Sequence, residues 1–542
     1  MLEISVNKEF LMNRKSRFKV TRRAFLKSTL LVPAGGSLKR SLGMVALTSA
    51  IPKAFGLESA THQRKPNILF LMTDQQRGDC LGCAGNPVIK TPHLDSIAKD
   101  GVVFSNAYSS TPSCTPARSA ILTGLSPWHH GMIGYGRVAG KYPFELPGAL
   151  RDAGYYLHGI GKMHWFPQRR LRGYHKILLD ESGRVQSPGF VSDYRLWFKE
   201  QAPEMDPDAT GIGWNDYRGK AYALPERLHP TTWTADRAVE FIEKYERSEP
   251  FMLKVSFARP HSPYDPPQRF IDMYDEDEMP APVVGDWAAR YSPHNDPPKP
   301  SLWRGDLGVD QAKESRRAYY GSITFIDEQI GRILAALKKS GMYGDTLIIF
   351  FSDHGDMLGD HHLWRKTYAY EGSAHVPMLL RWPKSMGMEH QRGKSLPQPT
   401  ELRDVLPTFL DTAGAPVPDH LDGKSLLELV RGNTKDWRRF IDLEHSMCYN
   451  KDHWNALTDG KVKYIYYAFD GREELFNLTN DPNELHNLSV EPARKNTLRQ
   501  WRQRMIEHLS ERGEQFVSGG KLTIRKDRML YSPHFPKDAS AT

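Results

Sequence analysis

Cysteine is scarce in this chain, with four residues among 542. So few exclude a disulfide-built scaffold, in which covalent staples replace a large core. Cys80 and Cys83 form a C-x-x-C, but no second pair or neighbouring histidines accompany them, which argues against a zinc site. The two either pack as small apolar residues or form one local bridge, and Cys448 reads as a buried residue. Long apolar runs are missing as well. The best candidate, Leu30 to Ala50, is broken by Lys39-Arg40 and weakened by Pro33-Ala34-Gly35-Gly36, whereas a retained membrane span needs about 20 continuous apolar residues. Basic excess is confined to one end. The formal charge is +9, yet residues 1–60 hold eleven Lys/Arg against Glu3, Glu9 and Glu58, a local +8 that leaves +1 for the rest. No nucleic-acid partner is expected from that balance. Internal repeats and long low-complexity tracts are also lacking.

What remains is an ordinary globular composition, 39% hydrophobic and 25% charged, which excludes disorder as the overall state. The length suits one large and one small domain. We read residues 1–60 as a leader and linker, 61–430 as a catalytic domain and 431–542 as a C-terminal subdomain. Thr21-Arg22-Arg23-Ala24-Phe25-Leu26-Lys27 resembles the bacterial twin-arginine export signal. It predicts a periplasmic or extracellular protein, cleaved near residues 50–60, against the alternative of a disordered basic tail.

Beyond the leader one pattern recurs, a short apolar run followed at once by polar residues. Asn67-Ile68-Leu69-Phe70-Leu71-Met72 leads into Thr73-Asp74-Gln75, and Tyr155 to Ile160 leads into Gly161-Lys162-Met163-His164. Phe251 to Phe257 leads into Arg259-Pro260-His261, and Leu347 to Phe351 leads into Ser352-Asp353-His354. Runs of this kind read as buried parallel strands. Between them lie helical segments such as Arg317 to Lys339, apolar at Ile323, Ile326, Ile330, Ile333, Leu334 and Leu337. The predicted fold is α/β, with a mostly parallel central sheet flanked by helices and a smaller C-terminal α+β part. Ligands of such sheets bind beyond the carboxyl ends of the strands. Asp74, Lys162, His164, His261, Asp353 and His354 are therefore expected over one edge. Ser113-Cys114-Thr115-Pro116-Ala117-Arg118-Ser119 fits beside them, because Pro116 and the residues after it favour a helix starting near Cys114. A helix N-terminus suits an oxyanion, and a thiol there is an activated nucleophile.

The Cys114-x-Pro116-x-Arg118 run, with Leu122-Thr123-Gly124, resembles the signature of Cys-type sulfatases. So does Ser352-Asp353-His354-Gly355-Asp356 with its continuation through His361-His362-Leu363-Trp364-Arg365-Lys366 to Tyr370-Glu371-Gly372. The resemblance extends from Asn67 to about Leu488 and implies an alkaline phosphatase-like fold. It also implies that Cys114 is converted to formylglycine by a formylglycine-generating enzyme. A divalent cation, calcium with magnesium or manganese as alternatives, would be held by Asp74, Gln75, Asp353, His354 and the side chain at 114. Many relatives carry two consecutive aspartates where this chain has Asp74-Gln75. The Asp-Gln and Asp-His pairs resemble a subset that includes choline sulfatases and phosphonate monoester hydrolases.

The mechanism implied by the resemblance begins with the hydrated aldehyde attacking sulfur, with Asp353 as base. Lys162 and Lys366 would neutralise sulfate oxygens, and Arg118 would hold the residue at 114. His261, or alternatively Lys366, would protonate the departing alcohol, and His164 would act as base when sulfate is eliminated. A sulfated carbohydrate or aryl sulfate is the expected substrate. The alternatives are a phosphodiesterase or phosphonate monoester hydrolase on the same site, and a non-catalytic sulfated-glycan binder, against which the intact polar set argues. In the stretch from Gln168 to Glu249, Tyr174, His175, Trp197, Trp214, Tyr217 and Arg218 either contact a sugar or belong to a packed insertion. Lys461 to Tyr467 and Glu474 to Leu478 read as strands of a small antiparallel sheet. Leu498, Trp501, Met505, Ile506 and Leu509 read as the buried face of a helix.

Overall fold

The apolar runs that precede the polar clusters become the middle of an eight-stranded sheet. The computed structural model of the protein describes residues 65–447, 449 and 452–537. The leader and Cys448 therefore lie outside the described residues.

The strands follow in chain order as β1 (Asn67–Asp74), β2 (Val102–Phe104), β3 (Ala107–Tyr108), β4 (Tyr156–Gly161), β5 (Lys176–Leu179), β6 (Phe251–Pro260) and β7 (Thr346–Ser352). Then come β8 (Met378–Arg381), β9 (Lys394–Leu396) and β10 (Thr400–Glu401), and finally β11 (Ile441–Ser446), β12 (His453–Thr458), β13 (Val462–Tyr467) and β14 (Glu473–Asn477). The large sheet has the order β5-β4-β6-β1-β7-β8-β2-β9. Only β8 runs against the others, pairing antiparallel with both β7 and β2.

Both faces of the sheet are covered, which is why its central strands read as unbroken apolar runs. From β1, Ile68, Phe70 and Met72 enter one core while Leu69 and Leu71 enter the other. β7 divides likewise, Leu347, Ile349 and Phe351 against Ile348 and Phe350. The second face is covered by Ile326, Ile330, Ile333 and Leu337 of the helix Val309–Lys339, and by Trp233, Ala238 and Ile242 of Pro230–Glu243. The first face is covered by Ala117, Ile121 and Leu122 of the helix Cys114–Thr123 and by the helix Val405–Thr412. Each such side chain contributes about 1.5–3 kcal/mol by leaving water.

β11 to β14 form the expected antiparallel sheet. The helix Lys495–Leu509 packs on it through Trp501, Met505 and Leu509, with Leu498 at the edge and Ile506 half-buried. β11 also reaches the large sheet's site, where the His445 ring meets the Ser113 hydroxyl at 2.9 Å, one residue before Cys114. Cys80 and Cys83 are free thiols, and Cys80 packs among Tyr319, Tyr320 and Ile323. Packing, not a bridge, accounts for that pair. Among the described residues no helix is long and apolar enough to cross a membrane.

Candidate active site

β4, β6, β1 and β7 are consecutive neighbours, and each delivers polar residues at its carboxyl end. Lys162 and His164 follow β4, His261 follows β6, Asp74 ends β1, and Asp353 and His354 follow β7. The positions expected over one edge are thus brought there by adjacency in the sheet. The helix Cys114–Thr123 begins at Cys114 itself, with Ser113 extended before it.

Local features hold the strand ends in unusual conformations. Gln75 has φ +72°, and its N–H donates to Asp353 Oδ1 at 3.1 Å while its carbonyl accepts from Tyr319 Oη at 2.6 Å. Its side-chain Nε2 donates to Asp356 Oδ2 at 2.5 Å, which turns Oε1 toward Lys366 Nζ, 2.8 Å away. His164 has φ +59°, and the turn is held by Glu181 Oε1, which accepts the N–H groups of both Met163 and His164 at 2.9 Å.

The Cys114 thiol is buried at the centre. Sγ lies 3.2 Å from Lys366 Nζ, 3.2 Å from His354 Nε2 and 3.6 Å from Asp74 Oδ1. Asp74 also pairs with Lys162. Arg118, expected to hold the residue at 114, is itself anchored on the strand ends around it. No hydrogen bond joins it to Cys114; instead Nε donates to Asp353 Oδ2 at 2.9 Å, Nη2 to Asp74 Oδ2 at 3.1 Å and Nη1 to the Lys162 carbonyl at 2.6 Å. It ties three strand ends together beside Cys114. Asp353 consequently has one oxygen on Arg118 and the other on the Gln75 N–H, and the carboxylate oxygen that meets Sγ belongs to Asp74.

Charge sets the protonation states. Burial opposes ionisation of Asp74, but the cations Lys162, Arg118 and Lys366 hold it well below the usual carboxylate range. Burial and Asp74 push the Cys114 thiol up, while Lys366, Lys162 and His354 more than offset them and leave it at about 7. His164 is driven well below its ordinary value by burial and by the cations Arg184 and Lys162. His261 is driven down by burial, Lys366 and Lys162. Both imidazoles are therefore neutral at pH 7. Burial disfavours the charge on Lys366, but Cys114 and Asp74 reverse that and raise it.

A ligand atom from each of Asp74, Cys114, Asp353 and His354 lies within 4.8 Å of the others. The His354 Nδ1 donates to the Gly355 carbonyl at 2.9 Å, which leaves Nε2 as the nitrogen that faces the site, 3.6 Å from a carboxylate oxygen of each aspartate. Two carboxylates and a buried imidazole nitrogen are a donor set that fits a hard divalent cation, and the Gln75 side-chain oxygen, now on Lys366 Nζ, is a further oxygen donor.

Three contributors were not foreseen in the sequence. Glu181 fixes the His164 turn, Tyr135 Oη lies 3.4 Å from His164 Nε2, and Arg184 is a further cation on that side. The signal for two of them was available, since Ile177-Leu178-Leu179 followed by Asp180-Glu181 repeats the pattern of the other strand ends. Of the aromatic insertion, Tyr174 and Tyr217 are core residues and Arg218 pairs with Asp216. Trp214 stays at the surface.

A buried thiol at a helix N-terminus, a carboxylate–imidazole cluster that could hold a cation, and lysines facing the same space suit the hydrolysis of anionic esters. The chain matches the sulfatase family over residues 66–415, and the C-terminal region of N-sulphoglucosamine sulphohydrolase over residues 359–511. It belongs to the sulfatase family and is a hydrolase of sulfuric esters. It is 39% identical to an arylsulfatase of Clostridium perfringens over 470 residues, 84% of this chain and 97% of that protein. Among solved structures it resembles the phosphonate monoester hydrolase of Agrobacterium radiobacter, with TM-score 0.69 and 26% identity over 82% of this chain and 96% of that one. It also shares its fold with a protein solved in complex with its substrate D-glucosamine-2-N,6-O-disulfate, with TM-score 0.66 and 21% identity over 83% of this chain and 98% of that one.

Proposed function

We propose that the chain is an exported sulfatase that removes sulfate from a sulfated carbohydrate, with Cys114 matured to formylglycine by a formylglycine-generating enzyme and with bound calcium. The observation that carries this reading is the Cys114 side chain, buried at the first turn of its helix between Lys366, His354 and Asp74. The similarity to a protein bound to a disulfated glucosamine supports the sugar. The twin-arginine-like segment motivates the export.

Asp74, Gln75, Asp353 and His354 would hold the cation, whose chemistry is to polarise sulfate oxygens and favour the ionised nucleophile. An aldehyde at position 114 supplies, as its hydrate, one hydroxyl to attack sulfur and a second whose proton is later removed. The protein's own groups do the rest. Lys162 and Lys366 meet the sulfate oxygens with preorganised positive charge. Asp353, held by Arg118 and the Gln75 N–H, is the base for the attacking hydroxyl. His261 donates Nδ1–H to the Ser262 carbonyl at 2.8 Å, so its buried, unpartnered Nε2 is the atom that exchanges protons. Burial, Lys366 and Lys162 keep Nε2 unprotonated; an anionic ester beside it raises its basicity, so that it takes a proton from water as the ester binds and passes it to the leaving oxygen. Lys366, already protonated, is the second candidate for that step. His164, neutral and with Nδ1 unpartnered, is suited to take the last proton.

A second reading is favoured by the Asp-Gln and Asp-His pairs and by the phosphonate monoester hydrolase likeness. Rates on an aryl sulfate and an aryl phosphate diester, measured on the same preparation, separate the two. A dominant sulfate rate is expected, and a dominant phosphodiester rate overturns the first reading.

A further inference from the structure

Arg184 sits in the turn after β5, and that turn is stapled to the strand end that carries the catalytic groups. Glu181 accepts the N–H groups of Met163 and His164, the Arg184 N–H donates to the Glu181 carbonyl at 3.0 Å, and Gln168 Nε2 donates to the Arg184 carbonyl at 3.0 Å. Arg184 is 9% exposed as a residue, and its Nη1 is buried without a hydrogen-bond partner. Among the described residues no carboxylate forms an ion pair with it. Its carbon lies 4.2 Å over the Trp214 ring, which fixes the plane of the fork. The relay through Glu181 therefore seats Arg184 beside the turn that carries His164, and its charge is felt by both Lys162 and His164. A buried, unpaired cation is costly to the fold unless a ligand satisfies it.

Lys162 and Lys366 already serve the scissile sulfate, so Arg184 is surplus to it. Trp214, 36% exposed, stands over Arg184, and Tyr135, 46% exposed, stands by His164 with ring centroids 6.0 Å apart. We infer that Arg184, braced by Trp214, binds a second anionic group of the substrate, a carboxylate or a second sulfate carried next to the ester that is cleaved. A planar guanidinium fork matches either group in a bidentate contact. The inference rests on the sulfatase reading and narrows it to polyanionic substrates.

Titration calorimetry with the full chain carrying Cys114→Ala, in calcium, tests it without turnover. The probes are phenyl sulfate, 3-carboxyphenyl sulfate and benzene-1,3-diol disulfate. At least one dianion is expected to bind about 10- to 100-fold more tightly than phenyl sulfate, the worth of a charge-assisted contact. Whichever arm gains identifies the group. Adding Arg184→Gln brings the ratio to about one, and Arg184→Lys, which keeps the charge without the fork, gives an intermediate ratio. Equal affinity for all three probes overturns the inference. So does a preference that survives Arg184→Gln, or a variant that weakens all three probes by one factor. Turnover of phenyl sulfate by the enzyme with Cys114 intact reports separately on the sulfatase reading.

Discussion

Replacing Arg118 with methionine isolates what holds the catalytic floor together. The side chain donates to Asp353, Asp74, the Lys162 carbonyl and Ser256 Oγ, all buried. Methionine keeps most of the volume but none of the donors. Two carboxylates then remain with ligand atoms no more than 4.8 Å apart. At an effective dielectric constant of about 20 their repulsion is about 3 kcal/mol. Breaking a buried pair by removing one partner costs about 3–5 kcal/mol. At roughly 2 cal/mol/K per residue, 1 kcal/mol moves the melting midpoint of a unit the size of Gln63–Thr542 by about 1 °C. Scanning calorimetry in chelator should therefore place Arg118→Met about 3–5 °C below the parent protein. Excess calcium should narrow that gap, because a dication held by Asp74 and Asp353 would replace the lost positive charge. An equal gap with and without calcium, or a gap under about 1 °C in chelator, refutes the assignment of Arg118 as the counter-charge of the metal carboxylates.

Other perturbations probe separate links. Cys114→Ala should abolish aryl sulfate hydrolysis and leave the melting midpoint within about 2 °C, since one small side chain at the sheet edge holds little of the core. Gly161→Ala places a Cβ 2.1 Å from the Ser256 carbonyl at φ +91°. It should cost more than about 1 kcal/mol and lower kcat/KM by at least about tenfold by displacing Lys162, as read from melting and steady-state rates. Glu444 in β11 is buried against Arg512, and although burial opposes its charge, Arg512 and His453 lower its carboxyl to about 2 from 4.5. A carboxyl depressed in the folded state stabilises above its unfolded value and loses that stabilisation as pH falls. About 3 kcal/mol should therefore disappear between pH 4.5 and pH 2, and Glu444→Gln should flatten that part of the melting-versus-pH curve.

Much of this site is legible in the sequence because each polar cluster directly follows an apolar strand, and a strand buried on both faces is a local signal. β1, β4, β6 and β7 could be read that way, and so could the helix at Cys114. The order β5-β4-β6-β1-β7 could not, because strand pairing is non-local. The reversed direction of β8 was hidden for the same reason. The anchoring of Arg118 could not be read from its neighbour Cys114, because its partners Asp74, Lys162 and Asp353 arrive from three different strands. Arg184 was passed over because β5 is a four-residue edge strand, too short to stand out beside the central runs. Tyr135 lies in a glycine-rich loop with no periodic pattern, and only its approach to His164 marks it.

The central claim is that position 114 carries an aldehyde in the mature enzyme. The direct measurement is the mass of the peptide containing Cys114, from protein made together with a competent formylglycine-generating enzyme. The account predicts a peptide lighter by the thiol-to-aldehyde change, in a preparation that hydrolyses aryl sulfates in proportion to the converted fraction. A fully unmodified thiol in a preparation that still hydrolyses sulfate esters would contradict it.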